Sequence, residues 1–186
     1  MSALRLSSRY AKSLTSLAKE KNVIDEIFAD MKVLRDVLDK NRDFLLMLKS
    51  PIVHSDAKLT VVRKIFEGKI HDITFKFINI IIRKGREGYL KEIVDSFFER
   101  YNEMNNISPV RLVTPIELDD SQKERIKEFI KKDSSVGKIQ LKTVVDPSII
   151  GGYIIQYEDK LIDSSVSSRL KTIRRNIEDS SYKVKF

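Results

Sequence analysis

The sequence predicts an α+β protein: an N-terminal six-helix bundle over residues 1–106, then a small C-terminal α+β domain over 107–186 (strand-helix-strand-strand-helix). Three observations predict it. Apolar residues recur at helical spacing in six successive segments before Asn105-Asn106. Beyond that pair the pattern changes to β-branched and alternating segments. Near the C-terminus, Gly151-Gly152 precede a strand, a polar turn and a basic helix.

The first helix carries Leu6, Tyr10, Leu14 and Leu17 on one side, with Ala11 and Ala18 beside them. A second holds Ile24, Ile27, Phe28, Met31, Leu34 and Leu38 and stops before Asn41. The short run Phe44-Leu45-Leu46-Met47-Leu48 makes a third, which ends before Pro51 because proline clashes with a continuing helix. Ser55 or Asp56 can cap a fourth, with Leu59, Val62, Ile65 and Phe66 inward and Gly68 at its end. The fifth, about 70–84, is apolar nearly all round (Phe75, Phe77, Ile78, Ile80, Ile81, Ile82), so it is central or covered by a partner. Gly85-Arg86-Glu87-Gly88 forms a turn, and Leu90, Ile93, Val94, Phe97, Phe98, Tyr101 and Met104 mark the sixth. Short connections between six amphipathic helices favour an antiparallel bundle.

In the second domain, Val110-Arg111-Leu112-Val113-Thr114 reads as a strand. Asp119 with Gln122, or Ser121 with Glu124, can form the capping box of a helix buried through Ile126, Phe129 and Ile130. Ile139, Leu141, Thr143 and Val145 alternate with polar residues, as a half-buried strand requires, and Pro147 ends that strand. At least one of Gly151 and Gly152 is expected in a conformation closed to side chains. Glu158-Asp159-Lys160-Leu161 reads as a turn between short strands. Asp163 or Ser164 is then available to cap a helix with Val166, Leu170, Ile173 and Ile177 on its apolar side. A loose tail is expected over 180–186.

The composition narrows the function. With 41% hydrophobic and 33% charged residues the chain is globular, and no apolar run approaches the roughly 20 residues of a spanning helix. The absence of cysteine removes disulfides, thiolate catalysis and zinc-cysteine sites. Net charge is +8, spread over both halves, which suits anionic partners in a general way. His54 and His71 have no second ligand at metal spacing, and there is neither a Walker loop nor a G-x-G-x-x-G. No catalytic constellation, cofactor, metal or small-molecule substrate is expected. Gly85-Arg86-Glu87-Gly88 matches the G-x-x-G loop of KH modules, but its flanks are helical. Arg169, Lys171, Arg174 and Arg175 lack interleaved aromatics for stacking on bases. A basic RNA-binding protein or another helix-binding adaptor is the alternative to a structural protein whose apolar faces receive partner helices.

One family matches these motifs in order. Arg9-Tyr10-Ala11-Lys12-Ser13-Leu14, the hydrophobic segment running from Phe77 into Gly85-Arg86, Gly151-Gly152-Tyr153-Ile154-Ile155, Ile162-Asp163-Ser164-Ser165-Val166 and Arg169-Leu170-Lys171-Thr172-Ile173 resemble the delta subunit of F-type ATP synthases. In mitochondria this subunit is the oligomycin-sensitivity-conferring protein. The resemblance implies a non-catalytic stator subunit of a proton-translocating ATP synthase, linking catalytic head to membrane sector. It further implies that residues 1–106 receive the N-terminal helix of an alpha subunit, with Tyr10, Ala11 and Leu14 opposing Ile78, Ile80 and Ile81. The domain at 107–186 would meet the C-terminal helix of a b-type stalk subunit through Gly151, Gly152, Ile162, Asp163 and Arg169. Membrane association would come only through the complex, without nucleic acid. The lack of a transit peptide points to the cytoplasmic face of a bacterial inner membrane.

Overall fold

The structure, a computed structural model, describes residues 3–133, 137–157 and 160–181. The chain divides into two compact units, residues 1–101 and 102–186.

The first unit is built from α1 (Ala3–Glu20), α2 (Ile24–Lys40), α3 (Arg42–Lys49), α4 (Ser55–Phe66), α5 (Asp72–Arg83) and α6 (Leu90–Met104), with a 3-10 turn over Glu87–Tyr89. Its core draws on every helix: Ala11 and Leu14, Ile27 and Met31, Leu48, Val62 and Phe66, Ile78, Ile81 and Ile82, Ile93 and Phe97 are all closed to solvent. Helix α2 runs antiparallel to α6, because residues increasing along one meet residues decreasing along the other. Asp25 accepts from Tyr101, Phe28 stacks on Tyr101 and meets Phe98 edge-on, Arg35 pairs with Asp95, and Asp39 pairs with Lys91.

Two buried polar groups hold the helix ends. Helix α4 has no side-chain cap from Ser55 or Asp56; its N-cap is His54, and Ser55 is the first helical residue. The polar work there falls to Lys58, only 3% exposed at its side chain. Its Nζ donates to Leu48 O (2.9 Å), Ser50 O (2.8 Å) and Glu87 Oε1 (2.6 Å). All three ammonium protons are therefore used, two on carbonyls at the end of α3 that the helix cannot satisfy itself. Helix α5 starts at Asp72, two residues later than its apolar pattern suggests, because His71 is the N-cap and its Nδ1 accepts from the Ile73 N–H. Asp30 of α2 accepts from the His71 N–H (2.8 Å) and the Thr74 hydroxyl (2.7 Å), anchoring that start to a neighbour. A carboxylate at a helix N-terminus also meets the positive end of its dipole.

The second unit contains β1 (Ile107–Thr114), α7 (Asp120–Asp133), β2 (Lys138–Val145), a 3-10 turn (Pro147–Ile149), β3 (Ile154–Tyr157), β4 (Lys160–Asp163) and α8 (Val166–Ser181). Four strands lie in the order β2-β1-β3-β4, one more than the predicted order allows. The strand beyond that order is β4, the short strand expected after the turn, which begins earlier and takes Lys160 and Leu161 from it. Strands β1 and β2 are parallel and joined through α7; β3 is antiparallel to both β1 and β4. Period-2 alternation puts Val110 and Leu112 of β1 and Ile155 and Tyr157 of β3 on one face, where Ile126 and Ile130 of α7 cover them. The opposite face carries exposed Arg111, Lys142 and Gln156. Helix α7 is capped by Asp119 and Gln122, each accepting the other's backbone N–H. Its Phe129, read as buried, is half exposed; Ile126 and Ile130 alone face the sheet. The expected turn residues Glu158 and Asp159 and the end of the expected tail, 182–186, lie outside the described residues.

Candidate partner-binding surfaces

Among the described residues, no group of three or more His, Asp or Glu side chains is placed to hold a metal ion, and no helix is long and apolar enough to cross a membrane. What the molecule offers instead is apolar surface on two helical faces, one in each unit.

In the first unit that surface lies where α1 meets α5. Helical spacing puts Tyr10 and Leu17, seven residues apart, on the flank of α1 toward α5. On α5, Ile73, Phe77 and Ile80 share the flank toward α1. Tyr10 packs edge-on against Phe77, with ring centroids 6.4 Å apart. Of the six residues expected to grip a helix here, Ala11, Leu14, Ile78 and Ile81 are fully buried in the bundle core. They join the helices from inside, and an incoming side chain cannot touch them. Tyr10 is half-buried and Ile80 is 51% exposed, so these two reach the surface. Sequence reasoning placed Leu17 on the core side and did not select it for contact, yet it is 40% exposed. The signal was present: Leu17 falls on the same flank as Tyr10, about 20° from it at 100° per residue and farther round toward solvent than Leu14.

In the second unit the surface is α8. The glycine pair sets its position. Gly152 has φ +77°, and a Cβ there would stand 2.2 Å from Ser164 O; one on Gly151 would stand 3.0 Å from Val166 Cγ2. Gly151 O accepts the Val166 N–H and Tyr153 O accepts the Ser164 N–H, so the loop lies directly against the helix start. Neither Asp163 nor Ser164 is the cap. Ser165 occupies that place, its Oγ accepting the Ser168 N–H at 3.2 Å. Asp163 braces the cap by accepting from the Ser165 N–H and the Ser168 hydroxyl. Those hydrogen bonds, Ser168 first and Ser165 next, stabilise the ionised form and hold the Asp163 carboxyl below its ordinary range. Ile162 is half-buried against the sheet core, so most of it supports the fold and only part reaches the surface.

The apolar side of α8 does not face the sheet. Val166, Leu170, Ile173 and Ile177 are between 38% and 60% exposed. Their 4-3-4 spacing is that of a two-stranded coiled-coil seam, and it puts Arg169 and Arg174 on the two borders of the stripe. Arg169 is exposed, while Arg174 reaches Glu178 one turn on at 2.8 Å. Gly151, Gly152 and Asp163 thus aim the helix, and Arg169 with the four aliphatic residues forms what a partner would meet. The turn Gly85 to Gly88 joins α5 to α6 within an all-helical unit, so it lacks the sheet against which a KH loop is built.

Comparison with known proteins bears on these surfaces. The family described as ATP synthase delta (OSCP) subunit matches residues 6–177. The ATP synthase subunit delta of Amoebophilus asiaticus is 30% identical over 181 residues, covering 97% of this chain and 98% of that one. That of Lactobacillus acidophilus is 33% identical, covering 97% of this chain and 99% of its own. Among solved structures, a chain of the Toxoplasma gondii mitochondrial ATP synthase hexamer shares the fold, with a TM-score of 0.69 at 21% identity over 92% of this chain and 97% of that one.

Proposed function

The chain belongs to the ATP synthase delta (OSCP) subunit family, and from that premise we propose that its two exposed apolar faces are the two grips of a stator. It is a non-catalytic peripheral-stalk subunit of an F-type ATP synthase, and its partners are other subunits of that complex. The residues 1–106 receive an alpha-subunit N-terminal helix along Tyr10, Leu17, Phe77 and Ile80. The domain over 107–186 receives the C-terminal helix of a b-type stalk subunit along α8. The complex holds the protein at the cytoplasmic face of a bacterial inner membrane.

The observation that carries this reading is the exposed stripe of α8. Fully burying an aliphatic side chain is worth about 1.5–3 kcal/mol, so covering four that are roughly half exposed stabilises a complex by about 3–6 kcal/mol before binding entropy is charged against it. A stator needs such holding energy and no chemistry. The two grips are tested separately on the full-length chain within the assembled enzyme. Leu170→Asp with Ile173→Asp is expected to abolish co-purification of the b-type subunit while leaving circular dichroism unchanged, because unpaired charge would enter the seam. Ile80→Asp is expected to weaken binding of an alpha N-terminal peptide by at least about tenfold. Undiminished co-purification or affinity would remove the corresponding grip.

A further inference from the structure

The other flank of α1, turned away from α5, is unlike either grip. A shallow cleft of about 540 Å³ between α1 and α6 is lined by Leu4, Arg5, Ser8, Arg9, Lys12 and Arg100. Four of the six are cations and none is an acid. Arg5, Arg9 and Lys12 form no ion pair among the described residues, and the first turn of α1 carries no acidic side chain. That lack is notable because the positive end of a helix ordinarily favours acids nearby. Arg100 Nη2 donates to Ser8 Oγ at 3.2 Å, which fixes a fourth cation, the third guanidinium, on the opposite wall.

We propose that this cleft is a second docking surface, which takes an acidic helical segment of another ATP synthase subunit through carboxylates spaced about one turn apart. The inference goes beyond the two grips and depends on neither. Arg5, Arg9 and Lys12 stand at i, i+4 and i+7, and at 1.5 Å per residue they span about 10 Å along α1. Charges strung out over that length match carboxylates repeating every three or four residues on a helix laid alongside. A single phosphate group is too compact to meet all of them. The arginine and lysine stems give the cleft apolar walls, and Leu4, 75% exposed, offers one aliphatic contact at its end. One such residue is too little apolar area to hold a helix in a lipid interface.

A zero-length carbodiimide cross-linker, applied to the assembled enzyme, joins a lysine amine to a carboxylate only where the two touch. The expected result is an amide between Lys12 and an Asp or Glu in a helical segment of another subunit. Its yield should fall by at least about tenfold in Arg5→Glu with Arg9→Glu and persist in Arg5→Lys with Arg9→Lys. Lys12 linked only within its own chain, no link at Lys12, or a yield insensitive to charge reversal would each overturn the proposal. So would binding of the free chain to phosphatidylglycerol vesicles at about 150 mM salt that the double Glu variant loses, since the ligand would then be an anionic lipid. Ile80→Asp strikes only the α5 side, so its failure and the failure of the Lys12 link are read independently.

Discussion

The two units solve burial differently. The first closes on itself: every one of its six helices contributes to one core, and α5, the most apolar, leaves only Ile80 strongly exposed. The second, among its described residues, gathers a cluster of only five buried side chains, Val110, Leu112, Ile130, Ile155 and Tyr157, and leaves the apolar side of its longest helix outward. Apolar helix faces therefore end in opposite places in the two units. A helix stripe is satisfied by whichever surface covers it; in the second unit no part of the described chain covers α8, and the proposed stator role assigns that surface to a partner subunit.

Substitutions sharpen this contrast, the largest effects falling in the first unit. Lys58→Met breaks the buried Lys58–Glu87 pair, strips two carbonyls of their donor and leaves a carboxylate unpaired. It should cost about 3–5 kcal/mol in denaturant unfolding. Glu87→Leu added to Lys58→Met should recover part of that loss, because the orphaned charge is then gone. A double variant no better than Lys58→Met would mean that the carbonyl contacts carry the stability. Ile81→Ala should cost roughly 2–5 kcal/mol by leaving a cavity in the bundle.

In the second unit the same chemistry acts through the backbone or hardly at all. Gly152→Ala meets Ser164 O and must hold a positive φ, so roughly 2–3 kcal/mol of destabilisation is expected in its thermal unfolding. Leu170→Ala, by contrast, should change the stability of the free chain by less than about 1 kcal/mol while weakening the assembled complex. If Leu170→Ala cost the free chain as much as Ile81→Ala, the contrast between the units would collapse. The smallest effect is on pH. A carboxyl lowered in the folded state adds stability that is present above its unfolded value, 3.8, and lost as pH falls through the folded one. Acid unfolding of the second unit should therefore be less steep in Asp163→Asn, with the two proteins converging at the acid end.

Much of this architecture was legible in residue order. Six stretches of 3.6-residue periodicity, the Asp119–Gln122 capping box and the adjacent glycines each report local geometry, which neighbours in sequence dictate. Less could be read where several residue types compete for one role. Asp163, Ser164 and Ser165 can all cap a helix, and the choice fell to Ser165 because the Gly151–Val166 hydrogen bond starts the helix one residue later. Lys58 gave no sign of burial, since its three partners lie in two other segments, the end of α3 and the turn before α6.

Chain order thus decided the helical and mixed halves, the turns and the family, because periodicity, glycine and capping chemistry act over a few residues. Only the packed molecule decided that Ala11, Leu14, Ile78 and Ile81 look inward, that α8 looks outward, and that Arg100 faces a row of cations on α1. Periodicity tells that a helix has an apolar side; which body meets that side depends on contacts between residues far apart in the chain.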